Sequence, residues 1–534
     1  MAEMNDLERV ISNLSGFNVE RALGRTATLD QIPDDLERGS ARKESGTSTP
    51  STTTTPTLTS IDDGMAAEDD DPNLVGWDGP DDPQNPMNWP QWRKNVAVAV
   101  VSAITFITPL ASSMFAPGIK QLMVEFKSTN TELASFVVSI FLLGFAVGPL
   151  FLSPASELWG RSIIYNVSNI CFVCCTVGCA LAPDLNFLIG FRFLSGVFGA
   201  APLTLGGGTI ADVIPPQKRG VAMALFAMGP LMGPVVGPVA GGFLAEAEGW
   251  RWVFWVIAIC SGVVTLMTLL FIRETYAPKI LADKAARLRK ETGNAKLRSK
   301  LASTLPAKEV FLRAMSRPFK MLFASPIVLF LSLHMAIAYG YLYLLFTTFP
   351  TVFEGQYGFS PATVGLAYLG VGVGSLVGLL AMGLVSDRIL AHYTRRSGVM
   401  KPEYRLPPMA YGAPLIPVGL FWYGWAADRN VFWIVPIVGT ALVGMGLLAT
   451  FMPINTYIVD AFQTYAASAL AATTVLRSIF GACLPLAGPK MYDALGLGWG
   501  NSLLGFVALL FLPMPFIFQK YGERLRTKFP VGFE

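Results

Sequence analysis

Long apolar segments recur along the chain from residue 95 to residue 519, and short polar connections separate most of them. A helix needs about 20 mostly apolar residues to cross the hydrocarbon core of a membrane, and in lipid only helices or closed barrels satisfy their backbone polar groups. The segments are too long and too continuously apolar for barrel strands, so the pattern predicts an all-α integral membrane protein. Its twelve predicted membrane-crossing helices, named spans 1 to 12 in chain order, are residues 95–117, 133–153, 163–183, 187–212, 220–245, 252–272, 325–350, 361–385, 407–426, 431–456, 465–488 and 499–519.

One connection within the membrane region is long, residues 274–324, and it is rich in basic residues. Its pattern predicts an amphipathic segment along the inner leaflet. It divides the membrane region into a first half, 95–273, and a second half, 325–520. The first spans of the two halves start 230 residues apart. Glu157 and Asp387, which lie in equivalent connections of the two halves, are separated by the same number of residues. This offset predicts two six-helix bundles in parallel orientation, a pattern that favours alternating access between them.

The chain outside the membrane region is polar. Residues 1–94 contain the Ser/Thr/Pro-rich run 45–56 and the acidic run 68–71, and such a composition cannot bury enough apolar surface to offset chain entropy. The sequence therefore predicts a disordered N-terminal tail over 1–94, with a short C-terminal tail over 521–534. Basic residues are concentrated in the connections on one side of the membrane, which predicts that both tails are cytoplasmic.

Composition agrees with this organisation. The 534 residues are 52% hydrophobic and 14% charged, with a net charge of +3, whereas soluble domains carry about 25% charged residues. The six cysteines all lie in apolar runs and show no disulfide or metal-ligand spacing. We therefore expect no metal site.

Charged or titratable residues inside spans are rare, and each is a candidate for function. Arg192 in span 4 has two interpretations: its charge modulates a nearby protonatable group, or it donates hydrogen bonds to backbone carbonyls between helices. For Arg477 in span 11 the packing interpretation is preferred. His334 in span 7 is either a helix contact or a titrating group, and Asp212 lies near the inner end of span 4.

Small residues form stripes in spans 5 and 8. A glycine recurs every fourth residue in both spans, and in span 5 three prolines repeat beside the stripe. Such stripes let helix backbones approach closely in lipid, and proline favours bending. We expect the two stripes to face each other across the halves as a seam that opens and closes, with ordinary helix packing as the alternative. The residues predicted for this seam are Gly229, Gly233, Gly237, Pro238, Gly241, Gly370, Gly374 and Gly378.

A short connection with an acid, a glycine and a base occurs once in each half. Charge-assisted hydrogen bonds and helix-end dipoles at such a turn hold neighbouring helices together, so each connection is predicted to form a latch. The predicted latch residues are Glu157, Gly160 and Arg161 in the first half, and Gly383, Asp387 and Arg388 in the second.

These motifs resemble the major facilitator superfamily, and in particular its fungal twelve-span drug:proton antiporters, over about residues 85–525. The similar motifs are the entry motif 85–90, the loop motif at Glu157, Gly160 and Arg161, and its second-half counterpart at Gly383, Asp387 and Arg388. Ser153 and Leu158 depart from the loop motif of the broader superfamily. Further matches are Arg192 with Gly196 and Gly199, the Gly-Pro stripe, and the segments 402–407 and 457–468.

The resemblance implies proton coupling through Arg192, to which we add Asp212 as a candidate, and export rather than uptake from the stripe in span 5. It also implies efflux of drugs, toxins, secondary metabolites or polyamines across the plasma membrane. The partners expected are a small-molecule substrate, the lipid bilayer and protons, with no nucleic acid, and the protein is expected to be a monomer.

Span 7 is rich in aromatic residues. Tyr339, Tyr343 and Phe346 have the spacing of one helix face, and binding pockets are mainly apolar with a few placed polar groups. Few acids are available in the spans, which favours neutral or weakly cationic apolar cargo over polyamines; helix packing is the alternative role for each residue. The residues predicted to line a central cavity are Phe106, Phe115, His334, Tyr339, Tyr343, Phe346, Phe451 and Asn455.

The sequence thus predicts a proton-coupled exporter of small, largely apolar compounds. A nutrient transporter such as a sugar carrier would need many Asn and Gln residues in its spans, and Asn455 is the clearest of few. A membrane enzyme or receptor is a further alternative, but the two histidines, His334 and His392, do not accompany a cluster of acids or nucleophiles. The sequence has no nucleotide-binding Gly-Lys-Ser/Thr motif, so the proton gradient, and no cofactor, is expected to supply the energy.

Overall fold

Runs of apolar residues form helices close to the predicted positions. The computed structural model describes residues 73–215, 218–302, 306–462 and 465–529. Ten continuous helical stretches in this part of the chain are long and apolar enough to cross a membrane. Spans 11 and 12 share one of them, and span 9 is divided into two shorter helices, so twelve crossings are present and the predicted fold class is confirmed.

Most breaks in these helices coincide with glycine or proline. Spans 11 and 12 lie in Ala466–Leu510 and are separated at Gly496, whose φ is 72°, a conformation that glycine adopts without strain. Gly160, with φ 96°, alone connects spans 2 and 3. The other helices are Gln91–Ser113 and Ile119–Glu125 (span 1), Thr131–Trp159 (2), Arg161–Ala180 (3), Leu185–Val213 (4), Arg219–Glu248 (5), Trp250–Phe271 (6), Pro326–Phe349 (7), Pro361–Ala367 and Leu369–Ser397 (8), Pro407–Gly412 and Leu415–Asp428 (9), and Ile434–Ala461 (10).

The central connection contains two helices, Ala277–Thr292 and Ala307–Ala324, with a short strand β2, Arg298–Ser299, between them. The side of the membrane on which it lies is named the near side, and the opposite side is named the far side. A final helix, Met514–Lys528, buries Phe518 and extends through most of the segment predicted to be a C-terminal tail.

The N-terminal tail predicted over 1–94 lies outside the described residues up to 72, but residues 73–94 differ from that prediction. Strand β1, Leu74–Val75, pairs in parallel with β2. The buried Lys284 amine donates to Asp78 Oδ1 at 2.5 Å and lies 3.6 Å from Asp82 Oδ2. The backbone N–H of Asp78 donates to the Asp82 carboxylate and lowers its pKa, and Lys284 adds to this effect. These contacts hold residues 74–82 against the central connection, and residues 91–94 already form the start of the span 1 helix.

The glycine stripes do not face each other, so the predicted seam is wrong in its pairing. A Cβ added to Gly233 or Gly237 would meet the backbone of span 1 at Leu110, at 2.8 and 2.9 Å. Gly229 and Gly241 also face span 1, at Thr105–Phe106 and at Met114. Gly370, Gly374 and Gly378 face span 10, at Ile437, Ala441 and Met445. Each stripe therefore binds its span to a neighbour within the same half.

A different face of span 5 contacts the second half. A Cβ on Gly365 of span 8 would lie 2.7 Å from the carbonyl oxygen of Pro238, and a Cβ on Gly242 would lie 2.5 Å from that of Pro361. Val235 lies against Gly372 in the same way. Of the predicted seam residues, Pro238 is thus at the boundary between the halves. A small-residue stripe shows that a helix is approached closely, but not which helix approaches it.

The second boundary between the halves joins spans 2 and 11. Gly481 of span 11 leaves room for Leu142 of span 2, whose Cδ1 would lie 2.8 Å from an added Cβ. The two halves therefore contact along two helix pairs, 5 with 8 and 2 with 11.

A pair of matched substitutions tests the packing of spans 1 and 5. Gly237→Ala is expected to lower the free energy of unfolding by about 1–3 kcal/mol, because the added methyl group forces the two backbones apart. Nothing lies within 4 Å of a Cβ added to Gly262 of span 6, so Gly262→Ala is expected to be neutral or to stabilise by up to about 1 kcal/mol. Thermal unfolding of the detergent-purified protein measures both, and equal effects would contradict the packing described.

Candidate functional site

The aromatic face of span 7 lies where the two halves meet. The buried Tyr343 hydroxyl is 2.8 Å from Ser112 Oγ of span 1, a hydrogen bond between the halves. The Tyr343 ring lies 5.1 Å from that of Tyr339 and 5.4 Å from that of Phe346. Phe451 of span 10 completes the group, with its ring 6.0 Å from Tyr339. Four of the predicted cavity residues therefore form one group, named the aromatic centre.

Arg477 of span 11 belongs to the aromatic centre, although the sequence favoured a packing role for it. Its guanidinium carbon lies 5.2 Å from the ring centroid of Tyr339 and 5.6 Å from that of Phe451, within the range of cation–π attraction. Gly481, one turn further along span 11, makes room for Tyr339, whose Cδ1 would lie 3.0 Å from an added Cβ. In the sequence, the position of this charge in the middle of a span already indicates a candidate functional residue.

Two predicted cavity residues lie elsewhere. Phe115 is fully buried in the core of the first half and stacks on Phe254 at 5.2 Å. His334 packs against Phe511 at 5.3 Å, next to span 12. It is five residues from Tyr339, which places it on a different face of span 7.

The remaining two predicted cavity residues are partly buried. The backbone of Phe106 lies against Gly229 and Gly233 of span 5. Asn455 lies one helical turn beyond Phe451 on the same side of span 10.

Arg192 is buried, 1% exposed, and donates to four backbone carbonyls on two other helices. In span 1 its Nη1 donates to Ala111 at 2.9 Å and its Nη2 to Ser112 at 3.0 Å. In span 2 its Nε donates to Val137 at 3.1 Å and its Nη2 to Val138 at 3.2 Å.

These partners have a structural reason. The first helix of span 1 ends at Ser113, and the last four carbonyls of a helix lack intrahelical donors. Arg192 supplies donors to two of them and places its charge at the negative end of the helix dipole. Of the two interpretations of Arg192, the geometry is that of carbonyl hydrogen bonding, in a ring of aromatic side chains from Phe115, Phe141 and Phe254.

The first-half latch forms on the near side, with a different acid from the one predicted. Arg161 Nε lies 2.6 Å from Asp212 Oδ2, which also accepts from Thr275 Oγ1 at 3.2 Å. The Glu274 carboxylate accepts from the backbone N–H groups of Arg161 and Ser162. Asp212, predicted for proton coupling, is therefore the ion-pair partner in this latch. Glu157 is exposed and forms no hydrogen bond or ion pair within the described residues.

The second-half latch uses Arg405 in place of the predicted Arg388. Arg405 donates to Asp387 Oδ1 at 2.8 Å and to Asp460 Oδ2 at 2.9 Å. Arg388 is exposed and has no ion pair in the part of the chain that the structure describes, and a Cβ on Gly383 would meet nothing. Asp460 lies at the end of span 10, as Asp212 lies at the end of span 4. The feature that the two halves share is therefore an Arg–Asp ion pair at a helix end, and not an acid and a base in the same short connection. In the sequence, the clue to this latch is that Arg405 lies within the segment 402–407, which resembles the fungal antiporter family.

Three polar contacts connect the halves on the far side. Lys120 Nζ lies 2.9 Å from Glu354 Oε2, and Lys490 Nζ lies 2.7 Å from Glu132 Oε1. Glu246 accepts from the backbone N–H of Ala362 at 2.8 Å. Each contact pairs a first-half group with a second-half group, so they are named the far-side bridges. No local pattern in the sequence pairs these residues, because the partners are more than 100 residues apart in the chain.

The fold and these contacts define a multi-pass membrane protein of two like halves, with an aromatic centre on the second half where it meets the first. The model of the Major Facilitator Superfamily matches residues 101–485. The chain is 57% identical to the MFS-type transporter penM of Penicillium rubens, over 88% of this chain and 93% of that protein. It is 51% identical to the efflux pump radE of Floropilus chiversii, over 86% of each chain. The chain therefore belongs to the major facilitator superfamily, and the predicted resemblance is confirmed.

Solved structures show the same fold. A partially occluded, inward-open structure of the xylose transporter XylE from E. coli matches with a TM-score of 0.60 and 16% identity, over 79% of this chain and 97% of that one. A bacterial homologue of the human lysosomal transporter Spinster, inward-facing and unoccupied, matches with a TM-score of 0.54 and 15% identity, over 84% of this chain and 100% of that one. At such identity the likeness concerns the fold alone.

Substituting the two candidate arginines tests the second-half latch. Arg405→Gln is expected to lower the free energy of unfolding by about 1 kcal/mol, because it removes a partly buried ion pair at the end of span 10. Arg388→Gln, at the exposed position, is expected to change it by less than about 0.5 kcal/mol. Thermal unfolding of both purified variants measures this, and a larger loss in the Arg388 variant would restore the prediction made from sequence.

Proposed function

We propose that this protein is a proton-coupled exporter of small, largely apolar compounds that works by alternating access. In this proposal the aromatic centre binds the compound, and the two halves move relative to each other so that the centre opens to one side of the membrane at a time. The observation that carries the proposal is that the aromatic centre of the second half is joined to the first half at Ser112, while the far-side bridges connect the same halves at their ends.

The arrangement of contacts supports this motion. Tyr343 and Ser112 join the halves at the centre through one hydrogen bond. The far-side bridges join them through two ion pairs and one hydrogen bond from a backbone N–H to a carboxylate, and water can solvate these groups when they separate. The near-side latches act differently, since Arg161–Asp212 and Arg405–Asp460 each lie within one half. Such latches would keep each bundle rigid while the bridges between bundles break and form.

Proton coupling is assigned in this proposal to Arg192 and Asp212. Arg192 connects the break in span 1 to span 2, and the neighbouring Ser112 side chain reaches Tyr343 of the second half. Asp212 holds Arg161, so a proton on its carboxylate would weaken the first-half latch. This protonation would alter the packing of spans 3 and 4, and Arg192 joins span 4 to spans 1 and 2.

Export across the plasma membrane, with both termini in the cytoplasm, completes the proposal. Basic residues are concentrated in the near-side connections, including Lys284, Arg287 and Arg289 in the central connection, and the cytoplasmic side carries this excess. The relative named as an efflux pump supports the outward direction. Nutrient uptake and polyamine transport are less well supported, because the centre is aromatic and its charged group, Arg477, is a cation.

Efflux measurements test the proposal. Cells that express the protein are loaded with a panel of small apolar fluorescent dyes that includes Nile red. They are expected to lose dye faster than cells without it, and a protonophore is expected to abolish the difference. Dye loss that persists after the gradient is collapsed would contradict proton coupling.

The role of Asp212 has a matched control. Asp212→Asn is expected to reduce gradient-driven efflux by about tenfold or more, on the scale of losing one proton-transfer group. Asp283→Asn, in an exposed pair with Lys279 on the first central helix, is expected to leave efflux unchanged. Surface delivery of both variants is measured alongside, and full efflux by the Asp212 variant would remove this residue from the coupling mechanism.

A further inference from the structure

Arg477 differs from Arg192 in how its charge is accommodated. The Arg192 guanidinium donates to four backbone carbonyls. Arg477 donates no hydrogen bond and forms no ion pair within residues 73–215, 218–302, 306–462 and 465–529, and its Nε is buried without a partner. Its contacts are the ring faces of Tyr339 and Phe451. Of the two arginines at membrane depth, Arg192 thus has hydrogen-bond acceptors for its guanidinium and Arg477 has none in the described residues.

An unpaired cation at this depth is costly. Arg477 is partly buried, less so than Arg192. Charged groups inside spans usually pair with one another or with carbonyls, or face a water-filled pathway, and removing a charge from water without a partner is unfavourable. Cation–π contact recovers a part of that free energy. The guanidinium fork of Arg477 therefore has unused donors at the place where spans 2, 7, 10 and 11 meet.

We propose that Arg477 binds the carboxylate of the transported compound, whose apolar skeleton lies against Tyr339 and Phe451. A planar guanidinium matches a carboxylate with two parallel hydrogen bonds, and the two aromatic rings provide flat apolar surface beside it. This inference rests on the proposed function and specifies its substrate class as apolar compounds that carry one negative charge.

The charge count favours a carboxylate over a phosphate. Arg477 is the charged side chain of the aromatic centre in the part of the chain that the structure describes, and its titratable neighbours are the phenols of Tyr339 and Tyr343. A monoanion would be neutralised by this one cation. A dianion would leave a second negative charge in an apolar site, which is unfavourable.

The inference revises the cargo expected from sequence. The scarcity of acids within the spans favours neutral or weakly cationic compounds, but the sequence does not show that Arg477 lies beside Tyr339 and Phe451. A cation among the rings repels cationic cargo, so polyamines and cationic dyes are the compounds that this centre excludes most strongly.

Binding of two closely similar probes tests the inference. The probes are 2-naphthoate and its neutral amide, 2-naphthamide, which have the same ring system and differ in charge. We expect the purified full-length protein to bind the carboxylate about tenfold or more tightly than the amide, since hydrogen bonds between charged groups are the stronger ones. Isothermal titration calorimetry measures both affinities.

Variants of Arg477 connect the preference to this residue. Arg477→Gln is expected to abolish the preference for 2-naphthoate and to leave the affinity for 2-naphthamide within about twofold, because the ring contacts remain. Arg477→Lys keeps the charge without the fork and is expected to retain part of the preference. Arg388→Gln, at an exposed position, is the control and is expected to behave as the wild type. Because Arg477→Lys preserves the charge, it provides a readout if the Gln variant does not fold.

The outcomes separate this inference from the proposed function. A wild-type protein that binds no 2-naphthoate, or an Arg477→Gln variant that keeps the preference, overturns the inference. Efflux of neutral dyes that depends on the gradient, together with no carboxylate preference, leaves the proposed function standing without it. Carboxylate binding through Arg477 with no gradient-driven transport supports the inference and contradicts proton-coupled export.

Discussion

A polar group at membrane depth that does not face a water-filled pathway must find its partners inside the protein or in a bound molecule. Arg192 shows the first solution, because its guanidinium takes up carbonyls that the break in span 1 leaves without donors, and thereby fixes spans 1, 2 and 4 to one another. The first half depends on this arrangement, since Phe115, Phe141 and Phe254 pack around the same charge. Arg477 lacks such partners, so its donors are available to cargo, whereas those of Arg192 are occupied by carbonyls.

The same constraint explains how the two halves are built to move. Close backbone packing of glycine against a neighbouring helix holds span 5 to span 1 and span 8 to span 10, so each bundle is internally tight. Between the bundles, the contacts are a second face of span 5, the pairing of spans 2 and 11, the hydrogen bond from Tyr343 to Ser112, and the ion pairs of the far side. The internal contacts consist largely of buried backbone, whereas the far-side contacts consist of charged side chains at helix ends, which water can solvate when they separate.

The membrane-crossing helices were predictable because a long apolar run has few alternatives in lipid. The partners of those helices were not, since a stripe at every fourth residue defines a face and leaves the neighbour open. The seam prediction failed for that reason at Gly237 and Gly374, although Pro238 does lie between the halves. Arg161 and Asp387 were correctly predicted as latch residues. The base of the second-half latch is Arg405 and not Arg388, because the segment after span 8 brings Arg405 to Asp460, and no local pattern in the sequence specifies that path. His334 and Tyr339 are both predicted to line the cavity, but their spacing of five residues places them on different faces of span 7.

The central claim is that two rigid bundles move about the boundaries between spans 5 and 8 and between spans 2 and 11. Electron paramagnetic resonance distances between spin labels measure this directly, with one label pair at Lys127 and Gln356 on the far side and another at Arg273 and Arg388 on the near side, in protein whose native cysteines are replaced. When Glu354→Gln and Lys490→Gln remove two far-side bridges, the account predicts that the far-side distance lengthens while the near-side distance shortens. Two distances that stay unchanged, or that lengthen together, would contradict it.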